Sequence, residues 1–373
     1  MNQTTTISVC PTNMNNHLLP PPYNQSTPQS WLQRSVLQPL GDILLGESPR
    51  LPPRKPSVDP ILLPPDQNDL FPIRVVCISD THNTRPPLPP GDILIHAGDL
   101  TARGTFDELQ AQLQWLSAQP HAHKVVVAGN HDLILDEACD DQFLTRGEDN
   151  SALKRKRLDW GEIRYLQNEA VTLEIEPIIA ADSAEERCDS TRRRQVKIYG
   201  SPLTPEFGRW AFQYPAIRDV WTGLIPADTD ILVVHGPPAL YGDYDGENGP
   251  TGKQKAKGDG YLLREIRRVR PKMVICGHIH GAFGISNIEH DGMQAITDKR
   301  QMHWGGFGVV EIVKILWAKI TAKQNIEQPA HTLVVNAAFA PSGMSSEDKG
   351  AILVDLSLDP RTQREPLLPR SSF

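Results

Sequence analysis

Five continuous apolar segments lie between residues 73 and 277, and each has the length of a buried strand. They are IRVVCIS (73–79), DILIHA (92–97), KVVVAG (124–129), DILVVHG (230–236) and KMVICG (272–277). Apolar residues recur at helical spacing in two stretches between them, at Phe106, Leu109, Leu113 and Leu116 and again at Leu262, Ile266 and Val269. Buried strands that alternate with amphipathic helices predict an α/β fold.

Residues with oxygen or imidazole groups follow each of these segments. They are Asp80 and His82, then Asp99, then Asn130, His131 and Asp132, then His235, and finally His278 and His280. In an open α/β sheet ligands gather at the carboxyl ends of the strands, so these dispersed side chains can converge. Carboxylate, amide and imidazole groups suit divalent transition metals such as Mn, Fe or Zn. The set fits two ions that share a bridging carboxylate, and the alternative is a group of unrelated strand caps.

Composition limits the classes of function that are open to the chain. The 373 residues are 39% apolar, which is enough for the core of one large domain or two ordinary ones. A net charge of −7 argues against unassisted binding to nucleic acid or to an anionic membrane. Five cysteines without a C-x-x-C pair favour a reducing compartment over a disulfide framework. We see no secretory signal or membrane-spanning stretch and therefore expect a cytoplasmic protein.

Proline is concentrated at the start of the chain and suggests a division into three parts. Residues 1–70 are predicted to be a disordered N-terminal segment, for which a protein partner is an open alternative. Residues 71–358 are predicted to form the folded domain, and residues 359–373 a flexible tail. The KRKR run at 154–157 is interpreted as a solvent-facing helix flank, with a nuclear-import signal as the alternative.

The ordered motif series resembles that of the calcineurin-like metallophosphoesterase superfamily. Its elements here are D-x-H (80–82), G-D (98–99), G-N-H-D (129–132), H-G (235–236) and G-H-x-H (277–280). The stretches HAGDLTARG, YGSPLTPEFGRWAFQY, HGPPALYGD and LVVNAA are further similar to the metallophosphoesterase-domain-containing family, which includes vertebrate brain proteins of that name. The resemblance implies a four-layer α/β/β/α sandwich of two mixed sheets flanked by helices.

The resemblance also implies how the candidate ligands divide between two divalent ions, with Mn²⁺ as the first candidate and Fe or Zn as alternatives. One ion is expected at Asp80, His82 and His280, and the other at Asn130, His235 and His278. Asp99 is expected to bridge both ions. Some members of the narrower family lack one histidine of the G-H-x-H element and are nearly inactive, whereas this chain has both.

The resemblance implies hydrolysis of a small phosphoester. The protein-phosphatase branch shows G-D-x-x-D-R-G, whereas this chain reads G-D-L-T from residue 98, as in the phosphodiesterase branch. We therefore expect a phosphodiesterase that acts on a small diester such as a cyclic nucleotide. The alternatives are a phosphomonoesterase or Ser/Thr protein phosphatase, and a non-catalytic scaffold of the same fold.

The expected mechanism uses a metal-bridging hydroxide as the nucleophile and a protein group that protonates the leaving oxygen. His131 is the candidate for that acid because it follows the predicted ligand Asn130, and Asp132 is expected to hold its ring. The alternating aromatics Trp210, Phe212 and Tyr214 either stack on a nucleobase or anchor their loop by packing.

Overall fold

The computed structural model describes residues 61–62, 72–139, 155–175, 194–243, 257–290, 331–339 and 349–357, together with three single residues at 295, 298 and 313. The predicted tail at 359–373 and nearly all of the proline-rich segment at 1–70 lie outside the described residues. The three-part division of the chain therefore stays a prediction.

Six strands form the first sheet of the described part of the chain. In spatial order they are β1 (Ile61–Leu62), β14 (Ile352–Leu356), β2 (Ile73–Ile78), β3 (Ile93–Ala97), β4 (His123–Val127) and β5 (Ile163–Tyr165). All neighbours in this sheet are parallel except β14 and β2, which are antiparallel.

The second sheet also has six strands among the described residues. Their order is β12 (Gly284–Glu289), β13 (His331–Asn336), β11 (Met273–Cys276), β10 (Ile231–Val234), β7 (Arg194–Ser201) and β6 (Glu169–Ile175). The four central strands are parallel, and each edge strand pairs antiparallel with its neighbour. A separate short pair joins β8 (Thr204–Pro205) to β9 (Gln213–Tyr214). Both large sheets are therefore mixed, as predicted.

The two sheets pack face to face, and alternating residues of each strand enter different layers. Val75 and Ile95 of the first sheet share one buried cluster with Val233 and Ile275 of the second. Cys77, a free cysteine, is buried in the same cluster.

A helix covers the outer face of each sheet. The helix α1 (Phe106–Ser117) buries Leu109 and Leu113 against outward-facing residues of the first sheet such as Leu94. Its N-terminus is fixed by a capping box between Thr105 and Glu108.

The second helix, α2 (Gly260–Val269), buries Leu262 and Ile266 against the outer face of the second sheet. The Asp259 side chain caps its N-terminus by accepting a hydrogen bond from the backbone N–H of Leu262. The predicted four-layer α/β/β/α arrangement is therefore confirmed. None of the described helices combines the length and the apolar character needed to cross a bilayer.

Parallel strands place their carboxyl ends at one edge, and hydrogen bonds connect the loops that follow them. The backbone N–H of Asp80, after β2, donates to the carbonyl of Gly98, after β3, over 2.8 Å. In the second sheet the N–H of Gly277, after β11, donates to the carbonyl of His235, after β10, over 2.9 Å. The N–H of His278 crosses between the sheets to the Asp80 carboxylate at 3.0 Å. The loops of both sheets therefore meet at one place.

Candidate metal centre

The backbone at this meeting point adopts left-handed conformations that residues other than glycine rarely adopt. Four predicted ligands have a left-handed φ: Asp80 at 54°, His82 at 42°, Asp99 at 55° and His278 at 66°. Asp, Asn and His tolerate this region better than most residues, but each such residue still costs free energy. Such conformations cluster at functional sites, where the surrounding structure holds them.

Two glycines let the carboxylates approach the backbone closely. A Cβ atom on Gly129 would lie 2.2 Å from Oδ1 of Asp99. A Cβ atom on Gly277 would lie 2.1 Å from Oδ2 of Asp80. A side chain at either position would displace a carboxylate, which explains why glycine stands beside the ligand residues in the sequence.

The first cluster of side chains, here called the rim cluster, consists of Asp80, His82 and His280. One ligand atom from each residue lies within 4.8 Å of those of the other two. Nε2 of His280 is 3.1 Å from Oδ1 of Asp80, and the His280 and His82 rings meet edge to face at 5.4 Å. The His280 side chain is 40% exposed, so this cluster opens to solvent.

The second cluster, here called the inner cluster, consists of Asp99, Asn130, His235 and His278. Ligand atoms of its carboxylate and two imidazoles also lie within 4.8 Å of one another. Nε2 of His235 is 3.4 Å from Oδ1 of Asp99 and 3.0 Å from Oδ1 of Asn130. His235 is fully buried and Asn130 is 4% exposed, while His278 is partly exposed, so most of this cluster is shielded from solvent.

Asp99 connects the two clusters. Its Oδ1 faces His235, while its Oδ2 lies 3.8 Å from Nε2 of His82 in the rim cluster. The backbone N–H of His131 donates to Oδ1 over 2.7 Å and fixes the orientation of the carboxylate. This placement is the one expected of a bridging ligand.

Backbone carbonyls determine which ring nitrogen of three histidines carries a proton. Nδ1 lies 3.1 Å from the Thr101 carbonyl in His82, 2.9 Å from the Ala97 carbonyl in His235 and 2.9 Å from the Ala102 carbonyl in His131. A carbonyl oxygen only accepts, so Nδ1 must donate in each case. In the neutral rings of His82 and His235 the lone pair then lies on Nε2, on the side of the clusters. Metal-binding histidines commonly have this arrangement.

The electrostatics of the clusters also fit cations. Burial opposes ionisation of Asp80, but hydrogen bonding to His280 and the charges of His235 and His280 hold its pKa below the usual range. Burial lowers the pKa of His235, but the negative charges of Asp99 and Asp80 outweigh burial and raise it to about 9. The carboxylates thus attract a positive charge between them, and a divalent ion can supply it.

The donor groups therefore fit a dinuclear metal centre, with one ion in each cluster and Asp99 between them. All seven predicted ligands lie in the two clusters: Asp80, His82, Asp99, Asn130, His235, His278 and His280. Carboxylate, amide oxygen and imidazole are the groups that Mn, Fe and Zn accept. That these residues bind metal stays a prediction, since it rests on proximity and donor chemistry.

The residue expected to hold the His131 ring is not the one that contacts it. Nδ1 of His131 bonds to the Ala102 carbonyl, so the prediction that Asp132 orients this ring is wrong. The Asp132 carboxylate instead accepts hydrogen bonds from the backbone N–H groups of Gly129 and Thr101 and from the Thr101 hydroxyl. Burial, together with the charge of Asp99, raises the pKa of Asp132 to about 6. Asp132 thus supports the loops that carry the ligands.

Sequence reasoning missed a supporting residue in the second sheet. Asn336, at the end of β13, is fully buried, and its amide group donates to the carbonyls of Gly277 and Ile279 at 3.3 Å and 3.1 Å. It therefore holds the loop that carries His278 and His280. Its position directly after a strand in the LVVNAA stretch was the signal that could have identified it.

Comparison with known proteins defines the class. Residues 73–282 match the family model described as calcineurin-like phosphoesterase. The chain belongs to this family, and the resemblance stated from the motifs is confirmed.

Individual relatives place it more narrowly. The human protein "Metallophosphoesterase domain-containing protein 1" is 32% identical over 63% of this chain and 68% of its own length. The Caenorhabditis elegans "UPF0046 protein K07C11.7" is 31% identical over 62% of this chain and 71% of its own length.

A third relative is a much longer protein. "Probable rhamnogalacturonate lyase C" of Emericella nidulans is 35% identical over 76% of this chain, but the match spans only 24% of that protein. The name belongs to that longer protein, and this chain is similar to only about a quarter of it.

Proposed function

We propose that the protein is a dinuclear-metal-dependent phosphodiesterase that acts on small phosphodiesters, with cyclic nucleotides as the first candidates and Mn²⁺ as the first candidate metal. The observation that carries the proposal is that Asp99 of the inner cluster also faces His82 of the rim cluster, and that the His131 ring lies beside both residues. The cyclic-nucleotide candidate comes from the family resemblance.

The residues of the two clusters would hold the ions, which when bound supply Lewis acidity toward phosphoryl oxygens and an activated water. The left-handed loop residues and the carbonyl-bonded imidazoles fix the positions of the ligand atoms. Such preorganisation reduces the reorganisation that the reaction requires.

His131 is placed to move the proton that the leaving oxygen needs. Its ring forms one group of ligand-type atoms within 4.8 Å together with His82 and Asp99, so it lies next to both clusters. Because Nδ1 is held by the Ala102 carbonyl, the ring can give or take a proton at Nε2 without turning. This geometry suits a general acid.

The reading G-D-L-T supports a diesterase over a protein phosphatase, and the structure gives its threonine a defined position. The Thr101 carbonyl accepts a hydrogen bond from Nδ1 of His82. The Thr101 hydroxyl donates a hydrogen bond to Asp132 over 2.7 Å. Thr101 of this motif therefore contacts His82 through its backbone and Asp132 through its side chain.

A substrate panel tests the proposal. Purified protein with Mn²⁺ is offered bis-p-nitrophenyl phosphate, p-nitrophenyl phosphate and 2′,3′-cyclic AMP, with and without chelator. We expect diester turnover that chelator abolishes. A preference for the monoester would support the phosphomonoesterase alternative, and no turnover with Mn²⁺, Fe²⁺ or Zn²⁺ would support the scaffold.

The variant His131→Ala tests the assigned acid. We expect it to keep its metal content while turnover slows about 10²–10⁴-fold, which is the usual contribution of a general acid. Wild-type turnover in this variant would remove His131 from the mechanism. The metal content measured on the same sample separates a loss of the acid from a loss of ions.

A further inference from the structure

The His131 ring is held on three sides. Its Nδ1 donates a hydrogen bond to the Ala102 carbonyl. The rings of His131 and His82 meet edge to face, with a centroid distance of 4.8 Å and an interplanar angle of 80°. The indole of Trp210 stacks on His131 with a centroid distance of 4.1 Å and an interplanar angle of 27°. Trp210 is thus in contact with the group that the proposed function uses as its acid.

The loop that carries Trp210 is joined by hydrogen bonds to the segment that carries His131. Directly after Trp210, the N–H of Ala211 donates to the carbonyl of Asn130 over 3.0 Å. The N–H of Phe212 donates to Oδ2 of Asp136 over 2.7 Å. The indole and the imidazole therefore belong to one connected unit.

Packing beneath the loop keeps this unit rigid. Ala211 and Phe212 are buried in the cluster between α1 and the outer face of the first sheet. Tyr214 is also buried, and its hydroxyl donates to Asp259. Trp210 itself is 37% exposed. Of the three aromatics, Phe212 and Tyr214 are packing anchors, and Trp210 is the one that reaches the site.

We propose that Trp210 is a positioning residue that fixes the plane of the His131 imidazole, so that Nε2 is directed at the leaving oxygen; this rests on the proposed function. A single hydrogen bond at Nδ1 leaves the ring free to tilt about that bond. Stacking of the indole on the ring face removes this freedom. The small displacement that follows loss of the stack should slow proton transfer more than it weakens substrate binding.

Leaving-group dependence tests this assignment. A p-nitrophenolate ion departs with little help, whereas a more basic phenolate needs the proton. In Trp210→Ala we expect kcat for diphenyl phosphate to fall about tenfold, which is the size of effect expected for the loss of one aromatic pair. The fall for bis-p-nitrophenyl phosphate should be smaller, with KM and metal content unchanged. Trp210→Phe, which keeps a ring face, should restore most of the rate.

Phe207→Ala is the matched control, because Phe207 lies in the same loop and is 79% exposed. It should behave as the wild type toward both esters. If Trp210→Ala raises KM and leaves kcat unchanged, Trp210 contacts the substrate and the positioning role is wrong. Equal losses for the two esters would also overturn it.

A measurement without metal or substrate tests the contact itself. In histidine-labelled protein, the ring current of the indole should move the His131 ring protons upfield in the NMR spectrum. Their signals are assigned by their absence in His131→Ala. The shift should be lost in Trp210→Ala and kept in Phe207→Ala.

The two experiments separate the inference from the proposed function. An unchanged His131 signal in Trp210→Ala overturns the inference whatever the activity is. If the wild type hydrolyses the diesters and Trp210→Ala matches it on both, only the inference is wrong. If the wild type hydrolyses none of the esters, the proposed function is wrong, and the inference is wrong with it.

Discussion

The inner and rim clusters use the same kinds of side chain but differ in their access to water. The His235 side chain in the inner cluster has no exposed area, whereas the His280 side chain in the rim cluster is 40% exposed. Both histidines lie near a buried carboxylate, Asp99 in the first case and Asp80 in the second. The contrast is therefore one of solvent screening rather than of donor chemistry.

This difference in solvent access determines whether a proton or water is the main competitor of a metal ion in each cluster. In the inner cluster the field of the carboxylates keeps a proton on His235, because its pKa is raised to about 9 against the burial that would lower it. An ion must displace that proton. Burial lowers the pKa of His82 in the rim cluster, with Asp99 and Asp80 acting in the opposite direction, and this shift favours the neutral ring with its lone pair on Nε2. We expect water to be the main competitor there.

The largest expected effect comes from Asp99→Asn, which tests whether the two clusters are one centre. The change keeps the size of the side chain and removes the charge that faces both His235 and His82. We expect both ions to be lost, measured as metal content, and turnover to fall by more than the roughly 10²–10⁴-fold that removal of a general acid costs. If one ion remains at full occupancy, the clusters are independent.

His280→Ala is the matched control for that experiment. It removes one imidazole of the rim cluster and leaves the inner cluster complete. We expect one ion to remain bound, and because the His280 side chain is 40% exposed, the fold should be little affected. Loss of both ions in this variant would contradict the contrast between the clusters.

Asn336→Ala should have a smaller effect and should act on both clusters together. The Asn336 amide holds the loop that carries His278 of the inner cluster and His280 of the rim cluster. Loss of a supporting hydrogen-bond donor of this kind typically lowers metal affinity about 10–100-fold. Calorimetric Mn²⁺ titration measures the change, and thermal unfolding reports the cost of unpaired carbonyls, about 1–3 kcal/mol.

Asn287→Ala provides the comparison for Asn336→Ala, since Asn287 lies on the neighbouring strand β12 and is exposed. It should leave both affinity and stability unchanged. An affinity loss confined to one cluster in Asn336→Ala would show that the loop does not act as a unit.

The smallest expected effect is a pH dependence that only the inner cluster shows. Because the pKa of His235 is about 9 in the metal-free protein, binding there should release one proton at neutral pH, and affinity should rise about tenfold per pH unit up to about 9. The same shift stabilises the metal-free fold below the unfolded value of 6.5, and this contribution is lost as the pH rises through about 9. Titrations in buffers of different ionisation enthalpy count the protons. A pH-independent inner site would contradict the assignment.

The sequence could predict which side chains converge because each part of the signal is carried by residue type. Apolar runs mark the strands, and Asp or His directly after a run is unusual enough to single out Asp80 and His278. The motif resemblance then supplied the two mixed sheets and the flanking helices, which periodicity alone did not define. The structure confirms that architecture.

The contacts that hold the ligands could not be predicted, because many of them are made by the backbone. The carbonyls of Ala97, Thr101 and Ala102 fix three imidazoles, and a carbonyl has the same chemistry whichever residue carries it. Asp132 was assigned to His131 because the two are neighbours in sequence. In the folded loop their side chains serve different partners.

The contact between Trp210 and His131 illustrates a second limit. The aromatic loop was recognised, but sequence alone could not choose between packing and a role at the site. The choice depends on the hydrogen bonds that Ala211 and Phe212 make with the segment from Asn130 to Asp136. These bonds join parts of the chain that are distant in sequence, and single-sequence patterns do not report such pairings.

Asp80 and His280 are separated by 200 residues, and this spacing has a consequence for biosynthesis. When strands β1 to β5 of the first sheet have been translated, the emerging polypeptide has the acidic and amide groups of both clusters but not His235, His278 or His280. Domains generally fold as units, and β14 of the first sheet follows all of these histidines in the chain, so the two clusters are completed only when nearly the whole domain has been synthesised. Ions bound as proposed would then load late in maturation, and the metals available at that stage would determine which of them the protein carries.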